Sequence, residues 1–218
     1  MERKLISGLG ALLCLIALPW SGQTASRAGA IEVPPAGGIS PNVLRLAVSA
    51  VQCATSRGTI ARPPTLTVID YSRPSVEPRL WVFDLNARGK LVFKELVAHG
   101  RNTGGNMATQ FSDAMNSRQS SLGLFVASDT YVGSNGYSLR LDGLEPGFNA
   151  RARARAIVMH GAPYVDPSLG AAQGRIGRSW DARRSATRLR GPSSTRFEAA
   201  ARSSPITPTR TGCRPRDS

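Results

Sequence analysis

His99 and His160 are the two histidines of this 218-residue chain, and each ends an apolar run immediately before a glycine. An imidazole at a strand end can take up and return a proton near neutral pH. The same position equally suits a structural histidine, so the question becomes what nucleophile could accompany it. Ser120 and Ser121 lack a surrounding Gly-x-Ser-x-Gly elbow and read as loop caps. Gly100 to Gly105 is not followed by a Lys-Ser/Thr pair, which argues against a phosphate-cradling loop. Of the three cysteines, Cys14 lies in the N-terminal apolar stretch, Cys53 in an apolar helical pattern and Cys213 near the C-terminus. These are too few for a disulfide scaffold, and no metal-ligand spacing is present, so the sequence calls for no metal and no cofactor. Cys53 is expected to be a small buried hydrophobe.

The elements that must position these side chains are legible from periodicity. Ser40-Pro41 reads as an N-cap followed by proline at the first helical position. Val43, Leu44, Ala47, Ala50, Val51 and Ala54 then recur at helical spacing, predicting a helix over 41–56 that stops at Gly58. From Thr65 the period changes to two. Strand-like runs cover 66–71, 79–85 and 90–98, with a hairpin at Asn86-Ala87-Arg88-Gly89, and shorter ones cover 123–127, 137–144 and 156–160. One helix followed by six short strands predicts a mainly β fold, a β-sandwich with an N-terminal helix. Residues 101–121 are polar and aperiodic, as suits a loop lining a cleft.

The two ends differ from this middle. Arg3 and Lys4, the apolar stretch Leu5 to Trp20 and the small residues Ala28-Gly29-Ala30 predict a signal peptide over 1–30, followed by a Pro/Gly linker over 31–39. No later segment is apolar enough to span a membrane, so an exported protein is expected, periplasmic or cell-wall associated and monomeric. Residues 181–218 are rich in Arg, Ser, Thr and Pro and poor in large apolar residues, which predicts a disordered tail. The formal net charge of +14 is spread unevenly: residues 31–180 carry 16 basic and 10 acidic side chains, whereas 181–218 carry 9 and 3. A continuous nucleic-acid-binding face would not divide this way, and no nucleic-acid partner is expected.

Several runs between residues 40 and 180 together resemble the murein L,D-transpeptidase catalytic domain (YkuD-type, second subfamily). They are Leu66-Thr67-Val68-Ile69-Asp70-Tyr71-Ser72 with Arg79-Leu80-Trp81-Val82, Val97-Ala98-His99-Gly100, Ser120-Ser121-Leu122-Gly123 and Gly136-Tyr137-Ser138-Leu139-Arg140-Leu141-Asp142-Gly143-Leu144. Ala156-Ile157-Val158-Met159-His160-Gly161 and Gly174-Arg175-Ile176-Gly177-Arg178-Ser179-Trp180 follow in the expected order. The resemblance implies an incomplete catalytic domain over 40–180 that acts on peptidoglycan stem peptides by cysteine acyl transfer. It implies His160 as the base, Gly161 as the carbonyl that orients the imidazole, and His99, Ser179, Arg178 and Tyr137 as residues of the substrate cleft.

The resemblance breaks after Trp180. The family continues Ser-Trp-Gly-Cys-Pro-Ala, with its nucleophile at the position of Ala182, but this chain reads Trp180-Asp181-Ala182-Arg183-Arg184-Ser185-Ala186-Thr187. A coding run TGG GGA TGC CCG GCG GTC CGC GAC specifies Trp-Gly-Cys-Pro-Ala-Val-Arg-Asp. Loss of a single G turns it into the codons for Trp-Asp-Ala-Arg-Arg-Ser-Ala-Thr. A frameshift accounts for the missing nucleophile and for the arginine-rich composition beyond it. It predicts a chain inactive as written, alternatively a non-catalytic peptidoglycan-binding remnant.

Overall fold

The computed structural model describes residues 30–179 and the three-residue strand 205–207. The signal peptide expected over 1–30 and the rest of the tail fall outside these residues, apart from Ala30. Helix α1 spans Pro41–Ser56 and buries Leu44, Ala47, Ala50, Val51 and Ala54. That spacing gives one apolar stripe, and Pro41 sits in the first turn, where no amide donor is missed. Ser40 occupies the N-cap by backbone conformation, without a side-chain capping bond. Cys53 falls beside the stripe. It is half-buried and disulfide-bonded, which corrects the expectation of a simple buried hydrophobe. The other cysteines, Cys14 and Cys213, lie outside the described residues.

Strands β1 (Thr65–Ile69), β2 (Leu80–Asp84) and β3 (Lys90–Glu95) form one antiparallel meander. Strands β4 (Phe125–Gly133), β5 (Gly136–Gly143) and β6 (Val158–His160) form a second. Strand β7 (Pro205–Thr207) lies between them, parallel to β1 and antiparallel to β4, giving the order β3-β2-β1-β7-β4-β5-β6. The predicted mainly β class with an N-terminal helix therefore holds. Within the stretch expected to be a disordered tail, residues 205–207 pair as a strand. A second helix, α2 (Pro167–Gln173), is an addition to the sequence reading. Asp166 caps it by accepting from the Ser168 amide at 2.8 Å, and Gly174 ends it at φ 66.

Both faces of β1 and β2 are buried, because successive side chains alternate between two cores. Leu66, Val68, Trp81 and Phe83 point to the side covered by α1. Ile69, Leu80 and Val82 point to the other, where they meet Phe125, Leu139, Leu141, Ile157 and Met159 from the second meander and its approach. The two meanders thus close on a shared core. Residues 31–39, expected as a linker, are built into the domain: Ile31 and Ile39 are buried in the helix-side cluster, and the Trp81 indole donates to Gly37 O at 3.0 Å. The β2–β3 turn is pressed against this segment, since a Cβ on Gly89 (φ +70) would lie 2.7 Å from Glu32 O.

A third, smaller cluster joins Leu96 and Ala98, at the end of the β3 run, to Ala162, Val165 and Ile176. It draws together the segments carrying His99, His160 and Arg178-Ser179.

Candidate active site

His160 ends β6 and pairs in register with Ser138 of β5, so its side chain leaves the sheet on the face opposite to that of Met159 and Leu139. The imidazole is buried, and its Nδ1 lies 2.6 Å from Gly161 O. A carbonyl can only accept, so Nδ1 carries the hydrogen and Nε2 carries the lone pair. This is the tautomer a general base requires: one nitrogen held as donor, the other able to receive a proton. Gly161 is exposed, and a Cβ there would meet nothing within 4 Å. Its contribution is therefore its carbonyl.

His99 is used differently. Its ring is fully buried, with Nδ1 2.8 Å from Arg79 Nη2 and Nε2 3.4 Å from Gly104 O. The guanidinium can only donate, so Nδ1 accepts, and Nε2–H points toward the Gly104 carbonyl. Burial and then the Arg79 charge hold the His99 pKa down to about 4, so the ring is neutral at physiological pH. Arg79 is itself fully buried, donating to Val97 O through Nε and Nη2 and to Arg73 O through Nη1. Burial brings its pKa down to about 10. Its guanidinium lies 5.1 Å from the Tyr71 ring centroid. The Arg79–His99 pair thus braces the base of the 101–121 loop.

That loop is ordered. A 3-10 turn covers Arg101–Thr103, and Gly104 bridges to Ala108. Ser179 is stitched to its start: the Ser179 amide donates to His99 O at 3.1 Å and the Arg101 amide to Ser179 O at 3.0 Å, with a parallel bridge between Gly100 and Ser179. Arg178 Nη1 donates to Arg101 O and Gly104 O. Gly100 tolerates this crowding because it has no side chain, a Cβ there falling 2.6 Å from Arg118 O.

The structure therefore brings His99, Arg178 and Ser179 into direct contact and packs their segment onto the one that follows His160-Gly161. Tyr137 stands apart: on β5 it faces away from Ser138 and His160 and packs against the shared core. Ala182, where the nucleophile was expected, lies outside the described residues. Among the described residues no cluster of His, Cys, Asp and Glu is placed to hold a metal ion. No helix among them is long and apolar enough to cross a membrane.

Arg155 was missed by sequence reasoning. It is buried and donates to Ser112 O and Gln119 O at 2.7 and 2.5 Å, to Ser117 Oγ at 3.1 Å and to Ser121 Oγ, with Asp113 3.7 Å away. Within Arg151-Ala152-Arg153-Ala154-Arg155, the outer two arginines named first are exposed, and nothing in their alternation marks the third.

No curated protein and no solved structure matches the chain. Residues 35–183 do match the L,D-transpeptidase catalytic domain, a family of peptidoglycan cross-linking. This span includes the three segments drawn together around His99, His160 and Ser179. The chain belongs to the L,D-transpeptidase catalytic domain family.

Proposed function

We propose that this chain carries the cleft and the base of a cysteine acyltransferase acting on peptidoglycan stem peptides, and that as translated it lacks the nucleophile. The observation that carries this reading is the contact between His160 Nδ1 and Gly161 O at 2.6 Å, which leaves Nε2 as the proton acceptor. In an in-frame chain, that nitrogen would take the thiol proton as the sulfur attacks the stem-peptide carbonyl carbon. It would then return the proton to the departing amine, leaving a thioester for the acceptor amine to open. The residue at the nucleophile's position is Ala182. The matched span ends at residue 183, which supports a reading in which family sequence gives way to out-of-phase translation near that point. Residues 1–30 would direct export to the compartment that holds the wall.

Carbapenem acylation followed by intact mass tests this directly. The chain as written should form no covalent adduct, while a chain with the reading frame restored after Trp180 should form a single one. His160→Gln in the restored chain should slow acylation by about 10²- to 10⁴-fold, the usual share of general-base catalysis. Transfer products made from tetrapeptide muropeptides by the chain as written would overturn the missing-nucleophile reading. Binding of stem peptides without turnover is the second reading, favoured by a cleft wall that is assembled from residues preceding the break.

A further inference from the structure

Ser75 lies in the connection 70–79 between β1 and β2, and it is buried although its neighbour Val76 is exposed. Its hydroxyl meets two segments that belong to neither meander. Ser75 Oγ lies 3.4 Å from the Ile176 amide nitrogen and 2.9 Å from Asn106 Oδ1. An amide can only donate, so the hydroxyl accepts from Ile176 and gives its own hydrogen to Asn106. The same Asn106 oxygen takes the Val76 amide at 3.4 Å, and the Ser75 amide donates to Asn106 O at 2.8 Å. One buried hydroxyl thereby ties the turn closed by the Gly104–Ala108 bridge to the segment that follows α2.

The connection that carries Ser75 is braced from within. Arg79 Nη1 donates to Arg73 O, the Arg73 amide to Asp70 O and the Glu77 amide to Pro74 O. The segments it holds have less support of their own. Helix α2 buries no side chain, and it leans on the same connection: a Cβ on Gly170 would lie 3.1 Å from Val76 Cγ1. Ile176 is fully buried in one cluster with Ala162 and Val165, which follow His160-Gly161. Two and three positions further on, Arg178 and Ser179 bond to the 99–104 stretch. A displacement of Ile176 is therefore felt on both sides of the cleft.

We infer that Ser75 is a positioning residue of the acyl-transfer site, whose hydroxyl holds the 101–121 loop and the 174–179 segment in one register around His160. It acts through Asn106 and Ile176 and takes no part in the reaction itself. The consequence for rate rests on the acyltransferase reading above, while the clasp is a property of the chain as written.

Hydrogen exchange on the full chain as written reads the clasp. In Ser75→Ala the amides of 176–179 and those of Thr109 and Gln110 should exchange faster together, by about 5- to 10-fold, the worth of one hydrogen bond. The amides of β1 and β2 should keep their rates. Asn106→Asp retains the accepting oxygen and should match the parent, whereas Asn106→Ala should loosen both segments. The double variant Ser75→Ala/Asn106→Ala should be no faster than Ser75→Ala, because the two residues share a bond. Unchanged rates, loosening of one segment only, uniform loosening of the sheet, or additive effects in the double variant would each overturn the clasp. Carbapenem acylation of the frame-restored chain reads the consequence. Ser75→Ala should lower the rate at saturating carbapenem by roughly 5- to 10-fold with the half-saturating concentration unchanged, and Asn106→Asp should keep the parent rate. A parent rate in Ser75→Ala, or a change in half-saturation alone, would overturn the positioning role. A restored parent chain that is never acylated sinks the acyltransferase reading instead, and exchange still decides the clasp.

Discussion

His99 and His160 are both buried and both precede a glycine, yet their ring nitrogens serve opposite ends. In His160 the Nδ1–H is tied to a carbonyl and Nε2 holds the lone pair, whereas in His99 a guanidinium claims Nδ1 and Nε2 carries the hydrogen. The sequence showed the position of each ring, at the end of an apolar run. It could not show which buried neighbour each would meet, because Arg79 is twenty residues from His99 in the chain. The difference has a measurable consequence. An unfolded histidine titrates near pH 6.5, while folded His99 resists protonation down to about pH 4. The unfolded state therefore binds the extra proton first as pH falls, and stability is lost across that window. Between pH 7 and pH 5 this amounts to about 2 kcal/mol. Denaturant midpoints should fall across that range in the parent protein and markedly less in His99→Gln. Parallel slopes in the two proteins would show that His99 does not set the dependence.

At the scale of elements, the 101–121 loop is the part whose order most depends on contacts invisible in its own sequence. It has no apolar period and no regular structure beyond one 3-10 turn. Its carbonyls and hydroxyls are instead collected by Arg155, on the approach to β6. Arg155→Met keeps the bulk but leaves those acceptors and Asp113 without their donor, so a loss of about 3–5 kcal/mol is expected. Amides 117–121 should exchange faster well before the rest of the domain; uniform loosening across the sheet would contradict a local role for Arg155. Helix α1 was legible because its buried stripe repeats at 3.6 residues. Helix α2 was not, although Asp166-Pro167 and Gly174 are ordinary start and stop signals. It buries no side chain and so offers no period to read. Residues 31–39 misled for a related reason: Pro and Gly suggest a linker, while the contacts that hold the segment, the Trp81 indole among them, come from elements farther along the chain. Trp81→Phe removes the bond to Gly37 O, and should cost about 1 kcal/mol and make that segment the first site of proteolytic cutting.

At the scale of the whole molecule, the two meanders meet twice, through the shared core and through β7. The core is built from residues that the alternating pattern announced. The strand is not, since it comes from the arginine-rich stretch beyond Trp180, where no alternation predicted pairing. Ile206 matches Thr67 on one side and Phe125 on the other, and Thr207 and Pro205 each match one further residue. Where it pairs, at Thr67–Val68 and at Phe125–Val126, the strand keeps the facing edges of β1 and β4 from being left with unpaired amides and carbonyls. Ile206→Pro removes an amide donor at the centre of the strand without altering charge or length. It should lower thermal stability and bring concentration-dependent self-association, seen as a growing high-mass fraction by light scattering. Replacing tail arginines with glutamine should produce neither effect. If the charge substitutions cause association while Ile206→Pro stays monodisperse, the basic tail acts through repulsion alone, and the middle of the sheet does not depend on β7.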